Sequence, residues 1–227
     1  MSPAARRTVR PLALAMLLSA AAAWGADRVV IEDWSEYPAG TKGIPPGWQG
    51  QNWGIPAYDL TVVDSDSQRA LHLKSRNEGS TISKEIKGVS LKETPVLEWR
   101  WKAVSLPTGG NSCKKQADDQ AAQVYVTWPR FPVAVRSRII GYVWDTTAPV
   151  GTVCKSEKTG MVTYIVVRSG PNDLGKWLTE KRDVRADFKK VYGEEPDDPG
   201  AISVSIDTND TRATAEAFVG PIVFRKP

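Results

Sequence analysis

The sequence predicts an all-β fold: an antiparallel, jelly-roll-like β-sandwich with one short helix near the C-terminal third. Three observations carry that prediction. Apolar and polar residues alternate with period two in about a dozen short segments, the pattern of strands that bury one face. Gly and Pro, at 18 and 16 of 227 residues, punctuate those segments as turns. One stretch alone has helical start and stop signals.

The first element is not part of that fold. Met1 to about Gly25 reads as a bacterial secretory signal peptide, with Arg6, Arg7 and Arg10 as its basic region and Leu12 to Ala23 as its apolar region. The apolar run falls short of the roughly 20 residues that span a bilayer. Cleavage is expected between Ala23 and Ala26, leaving residues 26–227 as one sandwich domain in the periplasm or medium, with no membrane span. The strands then follow in order. Val29 to Trp34 opens the body. Tyr58 to Val63 and Arg69 to Ser75 form a hairpin around Asp64-Ser65-Asp66-Ser67, followed by Ser80 to Ile86. In Val96 to Val104, Leu97, Trp99, Trp101 and Ala103 share one face, and Glu98, Arg100 and Lys102 the other. Ala122 to Trp128, Arg138 to Asp145, Met161 to Arg168 and Lys176 to Val184 continue the ladder. The helix is short, Asp187 to Tyr192, with Asp187 or Asp183 as its cap; Gly193 ends it and Pro196 bars its continuation. Ala201 to Asp207, Ala213 to Val219 and Ile222 to Phe224 complete the set.

Charge and cysteine content narrow the function classes. The net charge of +4 rests on 30 basic and 26 acidic side chains. Losing three arginines with the signal leaves 27 against 26, or +1, so nucleic-acid binding loses its electrostatic basis. Cys113 and Cys154 are the only two cysteines, and an oxidising compartment favours pairing them. The bridge closes a loop of about 41 residues, worth roughly 4 kcal/mol through chain entropy. If the strands from 96 to 168 run as a simple up-and-down meander, loops 105–121 and 146–160 lie at one end and bring the two cysteines together.

Several stretches resemble a bacterial exported family catalogued as a domain of unknown function (number three thousand and forty-seven). They are Ile31-Glu32-Asp33-Trp34, Ile44-Pro45-Pro46-Gly47-Trp48, Leu97-Glu98-Trp99-Arg100-Trp101-Lys102, the run Asp118 to Val126, Gly141-Tyr142-Val143-Trp144, Gly175-Lys176-Trp177, Asp187-Phe188 and Ile206 to Thr211. The resemblance spans the mature chain and implies no activity.

Nine tryptophans, eight once Trp24 leaves with the signal, suggest a surface for sugar rings in an exported sandwich. Trp99 and Trp101 alternate with charges and are expected in the core. Trp128, Trp144 and Trp177, near strand ends, are the candidates for ligand contact, and Trp48 and Trp53 lie in a Gly/Pro-rich stretch with similar freedom. Arg100, whose planar fork suits a carboxylate or sulfate, is expected to line a face with Gln123, Tyr125 and Thr127. Asp118, Asp119, Asp207 and Asp210 are candidate ligands for a hard cation such as calcium. A calcium-binding EF-hand loop beginning at Asp207 fails, because its sixth position is Arg212 and its twelfth Phe218. Neither a G-x-S-x-G elbow nor a phosphate-binding loop is present, and His72 reads as an exposed strand residue. Three functions follow: a non-catalytic module binding a polysaccharide or another envelope component, a carbohydrate-active enzyme pairing Glu98 with Asp118 or Asp119, or a structural or protein-interaction domain of the envelope.

Overall fold

The alternating segments fold as strands in the computed structural model, which describes residues 27–227. The segment expected to be a signal peptide, including Trp24, lies outside the described residues. The strands are β1 (Arg28–Glu32), β2 (Gln49–Gly50), β3 (Asp59–Ser65), β4 (Gln68–Arg76), β5 (Gly79–Glu85), β6 (Val96–Ser105), β7 (Ala122–Trp128), β8 (Arg138–Asp145), β9 (Val153–Lys155), β10 (Val162–Ser169), β11 (Leu178–Asp183), β12 (Ala201–Asp207) and β13 (Thr214–Arg225). They form two sheets. One has the order β11-β6-β13-β4-β3, with β1 also paired to β13; the other has the order β2-β5-β12-β7-β8-β10-β9.

Aromatic packing joins the sheets. Leu97, Trp99, Trp101 and Ala103 of β6 are fully buried. Trp99 stacks on Tyr142 of the opposite sheet at 5.2 Å, and Trp101 lies 5.9 Å from Trp144. Such pairs add directional attraction to the large apolar area they bury.

Local sequence sets the connections. Asp66 and Ser67 take φ of 49° and 64°, the left-handed pair that a tight β3–β4 hairpin needs. A four-residue helix, α1 (Val133–Arg136), lies in the β7–β8 loop, where no helix was expected. The helix α2 (Val184–Tyr192) starts one turn earlier than Asp187, because Asp183 accepts a hydrogen bond from the Ala186 amide. Gly193 ends it at φ 74°, its N–H donating to the Lys189 carbonyl.

The structure corrects the topology in three places. The segments 213–219 and 222–224 are one strand, β13, whose register slips between Val219 and Ile222; Pro221 in that gap has no N–H for the ladder. The chain is not a simple meander. Loop 105–121 crosses from the six-stranded to the seven-stranded sheet, so β6 and β7 are not neighbours. The pair β8 and β10 is parallel, because the short β9, not among the expected strands, returns the chain between them.

The disulfide forms nonetheless, between Cys113 in the crossing loop and Cys154 on β9, with a Cα–Cα distance of 5.7 Å. Beneath it, on the outer face of the seven-stranded sheet, Val143, Ala148, Val162, Tyr164 and Val166 make a smaller, separate core. Fully buried Asp145 ties the covering loops together. Its carboxylate accepts from the amide and hydroxyl of Ser112, each at 2.7 Å, and from the amides of Thr147 and Ala148. The stapled loops roof the β8–β10 half of that face; on the β5–β12–β7 half Thr81, Ser83 and Tyr125 are half-buried, and Ser203, Ser205 and Gln123 are buried.

Candidate ligand-binding face

The β5–β12–β7 half is lined by short hydroxyl side chains because small polar residues alternate with core residues on neighbouring strands. Ile82, Ile202, Val204 and Ile206 point inward and are buried. Thr81, Ser83, Ser203 and Ser205 point outward and face one another in register. Thr81 bonds Ser205, and Ser83 bonds Ser203, each at 2.8 Å. Such a floor is flat and rich in groups that both donate and accept.

Tyr125 forms the next part of the floor. Its ring lies over Gly141, where an added Cβ would approach the ring to 2.6 Å, so any larger side chain displaces it. A hydrogen-bonded chain runs from the Tyr125 hydroxyl to Gln123, on to Gln120, and from the Gln120 amide to Asp118 at 2.9 Å. Asp118 also accepts from the Tyr164 hydroxyl at 3.2 Å. Burial, together with the neighbouring Tyr164 and Asp118, pushes the Tyr125 hydroxyl well above its ordinary pKa. It is a neutral hydrogen-bonding group at physiological pH.

At one end the floor drops into a cavity of about 160 Å³ between Gln51, Trp53, Glu78, Thr81, Asp207 and Asn209. The Trp53 side chain at its rim is 61% exposed. Gln51 is held by bonds to the Trp53 and Gly79 carbonyls and the Thr81 amide. Asp207 accepts from the Asn209 amide at 3.3 Å. Burial, and then the charge of Asp119, raises the Asp207 carboxyl to about 7. Burial raises Asp118 to about 6, against the hydrogen bond from Gln120.

The four acids named as cation ligands are near neighbours. Asp119 is spent on the turn after β12, accepting from the amides of Asp210 and Thr211 and from the Thr211 hydroxyl. Lys158 pairs with Asp210 and is drawn further by Asp207 and Asp118, so an ammonium supplies positive charge among them. Among the described residues no three His, Cys, Asp or Glu side chains are grouped to hold a metal ion.

The remaining sequence candidates scatter. Trp128 and Trp144 are core residues, 2% and 1% exposed, and present no face to a ligand: each lies at or beside a strand end, but the phase of the alternation points it inward. Arg100 and Trp177 do meet, with the guanidinium 5.4 Å from the indole, but on the outer face of the six-stranded sheet. Tyr125 lies on the opposite outer face, so the expected surface joining Arg100 to Gln123, Tyr125 and Thr127 does not exist. The same separation parts Glu98, bound to Arg225 and Lys181, from Asp118 and Asp119, which removes the proposed carboxyl pair. Trp48 is buried, stacked at 5.3 Å on Trp34. His72 points to a strand's outer face as expected but is not exposed: its side chain is 18% accessible, stacked on Phe218 at 4.1 Å and bonded to Glu216. Missing from the sequence candidates were Gln51 and the Thr81, Ser83, Ser203, Ser205 set. Their signal was hydroxyl residues at period two in two separate segments, which becomes meaningful once those segments pair.

The family model described as a protein of unknown function, DUF3047, matches residues 47–223. No functionally curated protein matches the chain. Among solved structures, a family 11 carbohydrate-binding module of a Clostridium thermocellum cellulosomal cellulase is similar at 7% identity. That match covers 88% of this chain and 95% of the other with a TM-score of 0.45. A family 30 carbohydrate-binding module, from another cellulosomal cellulase of the same organism, matches at 15% identity over 86% and 96%, with a TM-score of 0.44. The xyloglucanase domain of a type three effector from Sinorhizobium fredii matches at 13% identity over 86% and 100%, with a TM-score of 0.43.

Proposed function

The chain belongs to the DUF3047 family of proteins of unknown function, and from that premise we propose that it is an exported, non-catalytic module that binds a polysaccharide on the outer face of its seven-stranded sheet. One observation carries the reading: an exposed indole, Trp53, stands at the rim of a polar cavity that opens onto a hydroxyl-lined floor. A sugar ring has an apolar face bordered by hydroxyls, so it is met by one aromatic platform together with several donor–acceptor groups. Thr81, Asn77 and Asn209 supply such groups around the cavity beside Trp53. Asp207, largely protonated a little below neutrality, offers a carboxyl that donates as well as accepts. A lining that holds two carboxyl groups and no Lys or Arg favours an uncharged or weakly charged polymer over a polyanion.

The test is a glycan array followed by calorimetry on the mature chain, with Trp53→Ala as the comparison. Wild type is expected to bind at least one polysaccharide, and Trp53→Ala about 30-fold more weakly or worse, as for a buried aromatic anchor. Its thermal unfolding should be unchanged, because the side chain is mostly exposed. Absence of binding to any polysaccharide, or equal affinity of the variant, overturns the reading.

A further inference from the structure

The loop between β7 and β8 carries three exposed apolar side chains within five residues: Phe131 at 87%, Val133 at 57% and Val135 at 71%. Single exposed apolar residues are ordinary; a cluster at the tip of one loop signals a surface that is covered in use. The cluster is bracketed by arginines in the sequence Arg130-Phe131-Pro132-Val133-Ala134-Val135-Arg136-Ser137-Arg138. Glu194 is the acid that reaches them, and it is shared between Arg130 and Arg138. Three guanidinium groups against one carboxylate leave the base of the tip positive, and Arg136 stands exposed. The loop is also held firmly. Trp128 just before it donates its indole N–H to the Asp197 carbonyl at 2.8 Å, and the Ser137 hydroxyl donates to the Val133 carbonyl at 2.7 Å.

We propose that this loop is a membrane-docking tip, which inserts Phe131, Val133 and Val135 into an anionic lipid surface while Arg130 and Arg136 meet its headgroups. The charge pattern decides the partner. Apolar side chains ringed by arginine match the boundary between acyl chains and anionic headgroups, where burial and charge attraction add. The base of the tip adjoins Gly200, just before β12, whose amide donates to the Thr127 carbonyl and which lies against Pro129. The cavity beside Asp207 lies at the other end of the same strand, about 20 Å away at the rise of a seven-residue strand. Docking would thus leave the polar face free. No helix among the described residues is long and apolar enough to cross a membrane.

The experiment is cosedimentation of the mature chain with vesicles of phosphatidylcholine alone and of phosphatidylcholine mixed equally with phosphatidylglycerol. Binding is expected to the anionic vesicles, to weaken with added salt, and to fall about tenfold or more in Phe131→Ser/Val135→Ser. Arg136→Glu should lower anionic binding severalfold. Thermal unfolding of the variants, expected to match wild type, shows that the fold is retained. Equal binding to both vesicles, or unchanged binding by the double variant, overturns the proposal. So does a self-associated wild type that Phe131→Ser/Val135→Ser converts to monomer, since the tip would then be a protein interface.

Discussion

The two outer faces of the sandwich have opposite designs. On the six-stranded sheet, long charged and aromatic side chains satisfy one another. Lys102 bonds Asp66 at 2.9 Å and lies 5.1 Å from the Trp177 ring, while the Trp177 indole N–H donates to the same Asp66 at 2.7 Å. Arg100 bonds Gln68, and His72 bonds Glu216. On the seven-stranded sheet the side chains are short, the floor is recessed, and a disulfide-stapled roof covers one half. The six-stranded face has the richer composition for recognition, and most of its charged groups are paired, though the Arg100 Nε and the Gln68 amide nitrogen have no partner. The seven-stranded face is plain in composition, but presents hydroxyls beside an exposed indole. Both faces bond internally, so what separates them is shape and the exposed indole: long ion pairs stand on one, and short hydroxyls that keep a second donor or lone pair lie beside Trp53 on the other.

The largest effect that separates the faces should come from the staple. Replacing Cys113 and Cys154 by Ser removes a 41-residue cross-link, expected to cost about 4 kcal/mol. For a chain of this size that lowers the melting temperature by roughly 8–16 °C. The loss should be local before it is global. Amide exchange is expected to rise first around Val143, Tyr164 and Val166, under the roof, with little change near Lys102 and Trp177. Equal acceleration on both faces would show that the roof is not an independent unit and would dissolve the contrast between them.

A smaller effect tests the electrostatics. Asp207 titrates near 7 in the folded chain, against an ordinary value of 3.8. A raised carboxyl favours the fold when protonated. Its contribution is therefore complete below about pH 4 and disappears as pH rises through 7. Asp118, raised to about 6, acts in the same direction over a narrower window. Asp207→Asn should flatten this dependence, gaining about 2 kcal/mol over wild type at pH 8 and nothing near pH 4, by urea unfolding at each pH. On the other face Asp66 has the opposite sign: hydrogen bonds from Lys102 and Trp177 hold its carboxyl below the ordinary range. An unchanged pH profile in Asp207→Asn would mean that the cavity is wetter than its geometry indicates.

The sequence was most informative where one strand or turn decides the outcome. The alternation in β6 placed Trp99 and Trp101 in the core, Asp183 was a named candidate for the helix cap, and Gly193 marked its end. Two cysteines, in a chain expected to be exported, sufficed for the staple, although the meander invoked to bring them together was wrong. What failed depends on which strands become neighbours. Arg100 and Tyr125 were placed on one face because β6 and β7 follow one another, and no local signal says that loop 105–121 changes sheets. The Ser and Thr floor was missed for the same reason, since Thr81 and Ser205 are 124 residues apart and meet only through pairing. Trp128 and Trp144 were misplaced by one step of the pleat, which is enough to turn a side chain from solvent to core.

Trp177 gives the most discriminating comparison, although its effect is the smallest. Trp177 and Arg100 were the candidates the fold brought together, and the indole also lies 6.2 Å from Phe218. A surface whose cations and aromatic ring already engage one another offers little to a ligand, because binding would have to displace those contacts first. Trp177→Ala should therefore cost stability rather than affinity. The lost cation–π contacts with Arg100 and Lys102 amount to about 1 kcal/mol at a half-exposed site. The melting temperature should fall by a few degrees while polysaccharide binding stays at the wild-type value, the reverse of Trp53→Ala. If Trp177→Ala abolishes binding and Trp53→Ala does not, the functional face is the six-stranded one, and the internal pairing seen there is a resting state that a ligand opens.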